Sequence, residues 1–114
     1  MDGPKAVARS GDVTATAGTT FFTGATSGSW TAGSVSETTH TKLSKALVSA
    51  SCVFSFTGKN DAGAVVTGTE TVTLKAGSTK LRAAVLRNGD EATGTFGNKL
   101  SASAAWKLHT GPGQ

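Results

Sequence analysis

Three side chains in this 114-residue sequence have the chemistry of metal ligands: His40, Cys52 and His109. They are the only His and Cys residues of the chain, and imidazole and thiolate groups are ligands that zinc and iron accept. Three ligands are one fewer than a closed structural zinc site uses, and their spacing matches no zinc finger or knuckle. The alternative is that Cys52 is a small buried hydrophobic residue. Both interpretations, one bound zinc or iron ion and none, stay open.

Sequence motifs for catalysis are absent. The chain has no Gly-x-Ser-x-Gly motif, no phosphate-binding loop ending in Gly-Lys-Ser/Thr and no His-Glu-x-x-His motif. Its seven carboxylates show no paired arrangement. A small metal-dependent enzyme would need a cleft around the three candidate ligands. We therefore expect a protein without enzymatic activity.

A short motif occurs twice, once near each end of the chain. Residues 6–12 read AVARSGD and residues 84–90 read AVLRNGD. Each copy predicts a strand that enters a tight turn, in which Gly adopts a positive φ angle and Asp folds its side chain onto the local backbone. The Arg residues are expected to hold loop carbonyls or carboxylates. The predicted turn residues are Arg9, Gly11 and Asp12 in the first copy and Arg87, Gly89 and Asp90 in the second.

Length and composition indicate one all-β domain. Only 16% of the residues are charged and 37% are hydrophobic, and the chain contains 15 Gly but only two Pro. This composition, rich in Thr, Val and Gly, favours short strands and many turns over a helical bundle or a disordered chain. The domain is expected to span residues 1–114, with residues 1–5 and 110–114 as loose termini.

Periodicity places the strands that would carry these turns. Alternation predicts a strand in which Cys52, Phe54 and Phe56 share one face, then a hairpin loop at residues 58–63 and a returning strand at 69–74. Strands are also expected at residues 19–22, 30–40, 81–85 and 101–109. Residues 42–47 are left as strand or coil because their apolar positions establish no helical period.

The net charge is +4 and the isoelectric point is near 9.6. The 11 Lys and Arg residues are scattered, without a basic run or interleaved aromatic residues, so nucleic acid is not an expected partner. The first residues lack the pattern of a signal peptide, and no apolar run has the length of a membrane span. We expect synthesis in the cytoplasm and no stable membrane insertion.

The sequence resembles the PAAR-like tip proteins of contractile injection systems, which include type VI secretion systems, extracellular phage-tail-like particles and phage baseplates. The resemblance depends on the two Ala-Val-x-Arg-x-Gly-Asp segments, on Gly97-Asn98 after the second, and on residues 33–43 followed by 52–56. The family often places a His soon after the first Gly-Asp, but residues 13–16 read VTAT here.

The resemblance implies a small cone of short strands and hairpins that caps a trimeric, VgrG-like β-helical spike protein, one copy per trimer. Such a tip sharpens the spike for piercing a target envelope, is delivered outward on contraction and in some systems bears effector cargo. A short all-β cap would also cover the unpaired strand edges at the blunt end of a β-helix. The alternative is an immunoglobulin-like adhesion or capsid-decoration module, which two stacked sheets would support.

Overall fold

The computed structural model of the protein describes residues 4–40, 45–76 and 85–110. These residues form antiparallel strands and contain no helix, which confirms the all-β prediction. The strands are β1 (Lys5–Ala6), β2 (Val13–Thr16), β3 (Ser27–Ala32), β4 (Ser36–His40), β5 (Ala46–Lys59), β6 (Val65–Lys75), β7 (Glu91–Thr93), β8 (Lys99–Ala102) and β9 (His109–Thr110).

The largest sheet is an antiparallel meander built around β5. Both β3 and β4 pair with one edge of β5, so that Trp30 lies opposite Phe56 and His40 lies opposite Ala46. The other edge of β5 pairs with β6 from Ser49↔Lys75 to Lys59↔Val65. We call this sheet the meander.

Side-chain alternation explains why the meander has one buried face. Ala50, Cys52, Phe54 and Phe56 of β5 are buried, whereas the residues between Cys52 and Thr57 that alternate with them are exposed. This confirms the predicted inward face of the strand. With 14 and 11 residues, β5 and β6 are longer than the short strands that we expected, and the molecule measures 55 × 28 × 19 Å.

A smaller sheet packs against the buried face of the meander. Its strand order is β2-β8-β7, and β1 and β9 form a separate two-stranded ribbon. Leu100 and Ala102 of β8 belong to the same hydrophobic cluster as Phe54, Val72 and Leu74 of the meander. One core therefore joins the two sheets.

Several predicted strands differ in the structure. Residues 19–22 form no strand, because the Thr20 backbone bonds to the Phe96 carbonyl and to the Trp30 indole instead of to a neighbouring strand. The strand expected at 101–109 ends at Ala102, because the amides of Ser103 and Ala104 bond to the Asp12 carbonyl and the Asn88 side chain.

The remaining differences concern the ends of the predicted elements. The segment 30–40 is two strands with a break at residues 33–35, and the hairpin loop lies at 60–64. Lys5 and Thr110, which were expected in loose termini, pair with each other. Residues 42–44 and most of the strand expected at 81–85 lie outside the described residues.

Candidate functional site

The two copies of the repeated motif form the same turn. The backbone N–H of Arg9 donates to Oδ2 of Asp12 at 2.8 Å, and that of Arg87 donates to Oδ2 of Asp90 at 2.8 Å. In return, the Asp amides donate to the Arg carbonyls at 2.9 and 3.1 Å. Each turn is thus closed by its own Asp, as the sequence indicates.

Glycine is required in both turns for its backbone conformation. Gly11 has a φ angle of 94° and Gly89 has one of 92°. A Cβ atom added at either position meets no atom within 4 Å, so steric room is not the constraint. The positive φ angle itself disfavours other residues, because it brings Cβ too close to the backbone.

Both turns converge on the end of β8. The amide of Ala102 donates to the Asp90 carbonyl at 2.8 Å, and the next amide, that of Ser103, donates to the Asp12 carbonyl at 2.9 Å. The strands that follow the turns, β2 and β7, then pair with the two edges of β8. The duplicated motif therefore builds the small sheet symmetrically around one strand.

The second residue of each turn has a different partner. Ser10 Oγ donates to Oε2 of Glu37 at 2.6 Å, and the Gly11 amide donates to Oε1 of the same carboxylate at 3.1 Å. In the other copy, Oδ1 of Asn88 accepts from the amide of Ala104 at 3.0 Å. The turns are alike in backbone, but each is fixed to a different part of the chain.

The two Arg side chains differ more than the repeat suggests. The guanidinium carbon of Arg9 lies 4.9 Å from the centre of the Trp106 ring, a cation–π contact at an exposed site. Arg87 is buried at the bridge that joins it to Val7. Neither position adjoins a pocket, because the described part of the chain has none.

The three candidate metal ligands are not brought together. No group of three or more His, Cys, Asp or Glu side chains among the described residues could hold a metal ion. His40 lies opposite Ala46, which is six residues from Cys52 along β5. At ~3.3 Å per residue, the backbones of Ala46 and Cys52 are about 20 Å apart, so His40 is also far from Cys52.

Cys52 and His109 also have separate local environments. Cys52 is 1% exposed, and its Sγ–H points to the Gly33 carbonyl at 3.4 Å. His109 is exposed, with Nδ1 3.0 Å from the Lys107 carbonyl. The environment of Cys52 is that of a buried apolar residue, and a site that uses all three ligands does not form in this structure.

A carboxylate and a buried amide hold the loop between β7 and β8. Asn98 is 0% exposed; its Oδ1 accepts from the Gly18 amide at 2.7 Å and its Nδ2 donates to Oε1 of Glu70 at 2.8 Å. Oε2 of Glu70 accepts from the Thr95 amide at 2.7 Å. This network ties β6 to two segments that are distant in sequence.

Sequence reasoning did not identify this network. The sequence pattern connects Gly97-Asn98 only with the family resemblance, and it gives Glu70 no special role. A signal was present, because Glu70 occupies an inward position of β6, in phase with Val72 and Leu74. A carboxylate on a buried face needs hydrogen-bond partners, so its position alone predicts a polar network.

Aromatic side chains form one cluster at the β3 end of the core. Phe22 lies 5.0 Å from Trp30, 5.0 Å from Phe56 and 4.5 Å from Phe96, measured between ring centres. The Trp30 indole N–H donates to the Thr20 carbonyl at 2.9 Å. These rings fill the core, and Phe21 is the one aromatic residue classed as exposed among those described.

The exposed face of the meander is an array of hydroxyl groups. Two cross-strand rows run through β3, β5 and β6, and both consist only of exposed Ser and Thr. Val53 and Val65, which are 50% and 67% exposed, lie on the same face. We call this surface the hydroxyl face; it includes Lys59, which lies between Ser27 and Val65. Its other members on the three strands are Ser27, Ser29, Thr31, Val53, Ser55, Thr57, Val65, Thr67, Thr69 and Thr71.

The outer edge of β6 is the longest strand edge that no described strand pairs with. Within the described residues, β6 pairs with β5 alone, although it approaches β7 and β8. Exposed strand edges offer unpaired N–H and C=O groups to any extended chain. The hydroxyl face and this edge together form the candidate docking surface.

Comparison with known proteins adds no relative: no protein-family model, curated protein or solved structure matches the chain. The described residues include no helix that is long and apolar enough to cross a membrane.

Proposed function

We propose that this chain is a non-enzymatic spike-tip protein that caps the end of a trimeric β-helical spike and sharpens it for piercing an envelope. The proposal begins from the resemblance of the repeated turns and of residues 33–43 and 52–56 to PAAR-like tips. Its structural support is an elongated all-β domain, 55 Å long and 19 Å thin, with duplicated turns at one sheet.

The observation that carries the proposal is the open edge of the meander. A β-helix ends in strands whose outer N–H and C=O groups are unpaired, and a cap has to supply matching groups. In this chain β6 presents 11 residues of strand whose outer edge pairs with no described strand. Docking of an extended sheet edge onto a strand-rich spike end satisfies both partners.

The composition of the candidate docking surface fits a protein–protein contact of mixed character. Thr and Ser side chains supply hydroxyl donors and acceptors together with methyl groups, and Val53 and Val65 add exposed apolar surface. Contact through backbone pairing and hydroxyl groups would need few buried apolar anchors.

Co-purification with a trimeric β-helical spike protein, encoded in the same injection-system gene cluster, tests the proposal. The tagged chain should retain the spike through size-exclusion chromatography, whereas a β-helical trimer from an unrelated system should elute separately. Replacement of Lys107, an exposed residue outside the meander, by Ala should leave the association unchanged. A chain that never associates with the spike would refute the proposal.

A capsid-decoration or adhesion module is the second candidate. The observation in its favour is that two sheets share one core, with Leu100 of the small sheet packed in the same cluster as Phe54 and Leu74 of the meander. Two packed sheets are the arrangement of sandwich domains. Specific binding to assembled capsids, with no binding to the spike, would favour this candidate over the tip.

A further inference from the structure

The hydrogen-bond register of the β5–β6 hairpin determines which backbone groups of β6 face outward. The Asn60 amide donates to the Ala64 carbonyl at 3.1 Å, so residues 60 and 64 form a hydrogen-bonded pair. Hydrogen-bonded and non-hydrogen-bonded pairs alternate along an antiparallel ladder. The pairs Lys59↔Val65, Thr57↔Thr67 and Ser55↔Thr69 are therefore of the non-hydrogen-bonded kind.

A second contact supports this assignment independently. The Gly33 amide donates to the Val53 carbonyl at 3.0 Å, so the backbone of Val53 is directed toward β3 and away from β6. The partner of Val53 on β6 is Thr71, which consequently has no ladder bonds to β5. Val65, Thr67, Thr69 and Thr71 all direct their N–H and C=O groups to the outer edge.

Nothing in the side chains of this stretch protects the edge. In natural sheets, Pro, charged side chains or bulges prevent an exposed edge from pairing with another chain. Residues 65–73 contain no Pro, and their one charged residue, Glu70, turns its carboxylate to Asn98 and the Thr95 amide on the other face. The register between β5 and β6 is also unbroken.

We propose that the outer edge of β6 from Val65 to Thr71 accepts an extended strand from the end of the spike, by β-strand addition. This inference rests on the proposed function and specifies its contact. The added strand would continue the Ser/Thr rows of the hydroxyl face, so its side chains on that face should be Thr, Ser or Val.

A second copy of this chain is a less suitable occupant. Pairing of two such edges joins only a few residues on each side, which buries less than the ~1,000 Å² of a typical stable interface. The blunt end of a trimeric β-helix, the partner in the proposed function, would present further strand edges beside the added strand. The edge is therefore one part of a larger docking contact.

Thr69→Pro and Thr69→Val are the matched variants for the test. Proline removes the outward N–H of residue 69 without removing a β5–β6 ladder bond, and proline is tolerated at strand edges of this kind. Valine keeps that N–H and the β-branched shape. Both variants lose the Thr69 hydroxyl group, so their comparison isolates the N–H. We expect Thr69→Pro to bind the spike at least about tenfold more weakly than Thr69→Val.

Amide hydrogen exchange on the parent chain provides a second readout that needs no variant to fold. In the isolated chain, the amides of Thr67, Thr69 and Thr71 should exchange rapidly while those of Gly68 and Glu70, which bond to β5, exchange slowly. In the spike complex, the three Thr amides should become protected.

The outcomes separate this inference from the proposed function. Spike binding that Thr69→Pro leaves intact, with the Thr amides still exchanging rapidly, overturns strand addition and leaves the tip function standing. Protection of these amides in the isolated monomer also overturns it, because the edge would then be covered. If the parent chain forms a dimer and Thr69→Pro is monomeric, the edge binds a second copy of the chain instead of the spike. A parent chain that does not bind the spike overturns both proposals.

Discussion

Replacement of Asn98 by Ala should destabilise the fold more than any exposed polar substitution. Asn98 is 0% exposed and its side chain bonds to the Gly18 amide and to the Glu70 carboxylate. The variant would leave the Gly18 N–H without its acceptor, and because Gly18 is only half-buried the cost lies in the lower part of the ~1–3 kcal/mol range for an unsatisfied donor. The bond to the carboxylate adds to this cost.

The contribution of Glu70 is discounted because this residue is only half-buried. A hydrogen bond to a charged group is worth about 1.5–3 kcal/mol, and the lower value applies here since water can reach Glu70 and the Thr95 amide still bonds to it. Together, the two lost hydrogen bonds should lower the free energy of unfolding of Asn98→Ala by about 3 kcal/mol. For a domain of this size, that corresponds to a fall in melting temperature of about 10–15 °C.

Thermal and urea unfolding followed by circular dichroism measure this loss. Asn88→Ala is the matched control, because Asn88 is exposed and its side chain accepts one bond, from the Ala104 amide. The control should lose about 1 kcal/mol. If Asn98→Ala were no more destabilising than Asn88→Ala, the network around Asn98 would not hold the loop as we infer.

Four further predictions follow from the same contacts. Gly11→Ala and Gly89→Ala should each lower the free energy of unfolding by about 1–2 kcal/mol, and by similar amounts, because both positions have the same positive φ angle; unequal losses in urea titrations would contradict the equivalence of the turns. Trp30→Phe should cost about 1 kcal/mol or more in the same assay through loss of the bond to the Thr20 carbonyl. Incubation with a chelator should leave the melting temperature unchanged, since Cys52 and the two His residues form no common site; a large fall would contradict this. Cys52→Ser should destabilise the chain, because it places a hydroxyl group in a buried apolar site. If elemental analysis found a metal in the parent chain and none in this variant, Cys52 would instead be a metal ligand.

Local features of the fold could be predicted from the sequence. The Arg-x-Gly-Asp turns depend on residues three positions apart, and the buried face of β5 depends on alternation within one strand. Both patterns are complete within a short window, so the chemistry of the residues determines them wherever the segment lies.

Features that join distant segments could not be predicted. Asn98 bonds to Gly18 across 80 residues and to Glu70 across 28. Residues 103–108 look like a strand, but their first amides are taken by the two turns. His40 and Cys52 are separated by the register of β4 on β5, and no sequence pattern specifies that register. The candidate docking surface likewise became visible only when the pairing of β6 was known.

Electron cryomicroscopy of the chain bound to a trimeric β-helical spike tests the central claim most directly. We expect density for one copy at the end of the spike axis, with the β6 edge continuing the strands of the spike. Native mass spectrometry of the same complex should give one copy per trimer. Density along the side of the spike, or three copies per trimer, would contradict the account.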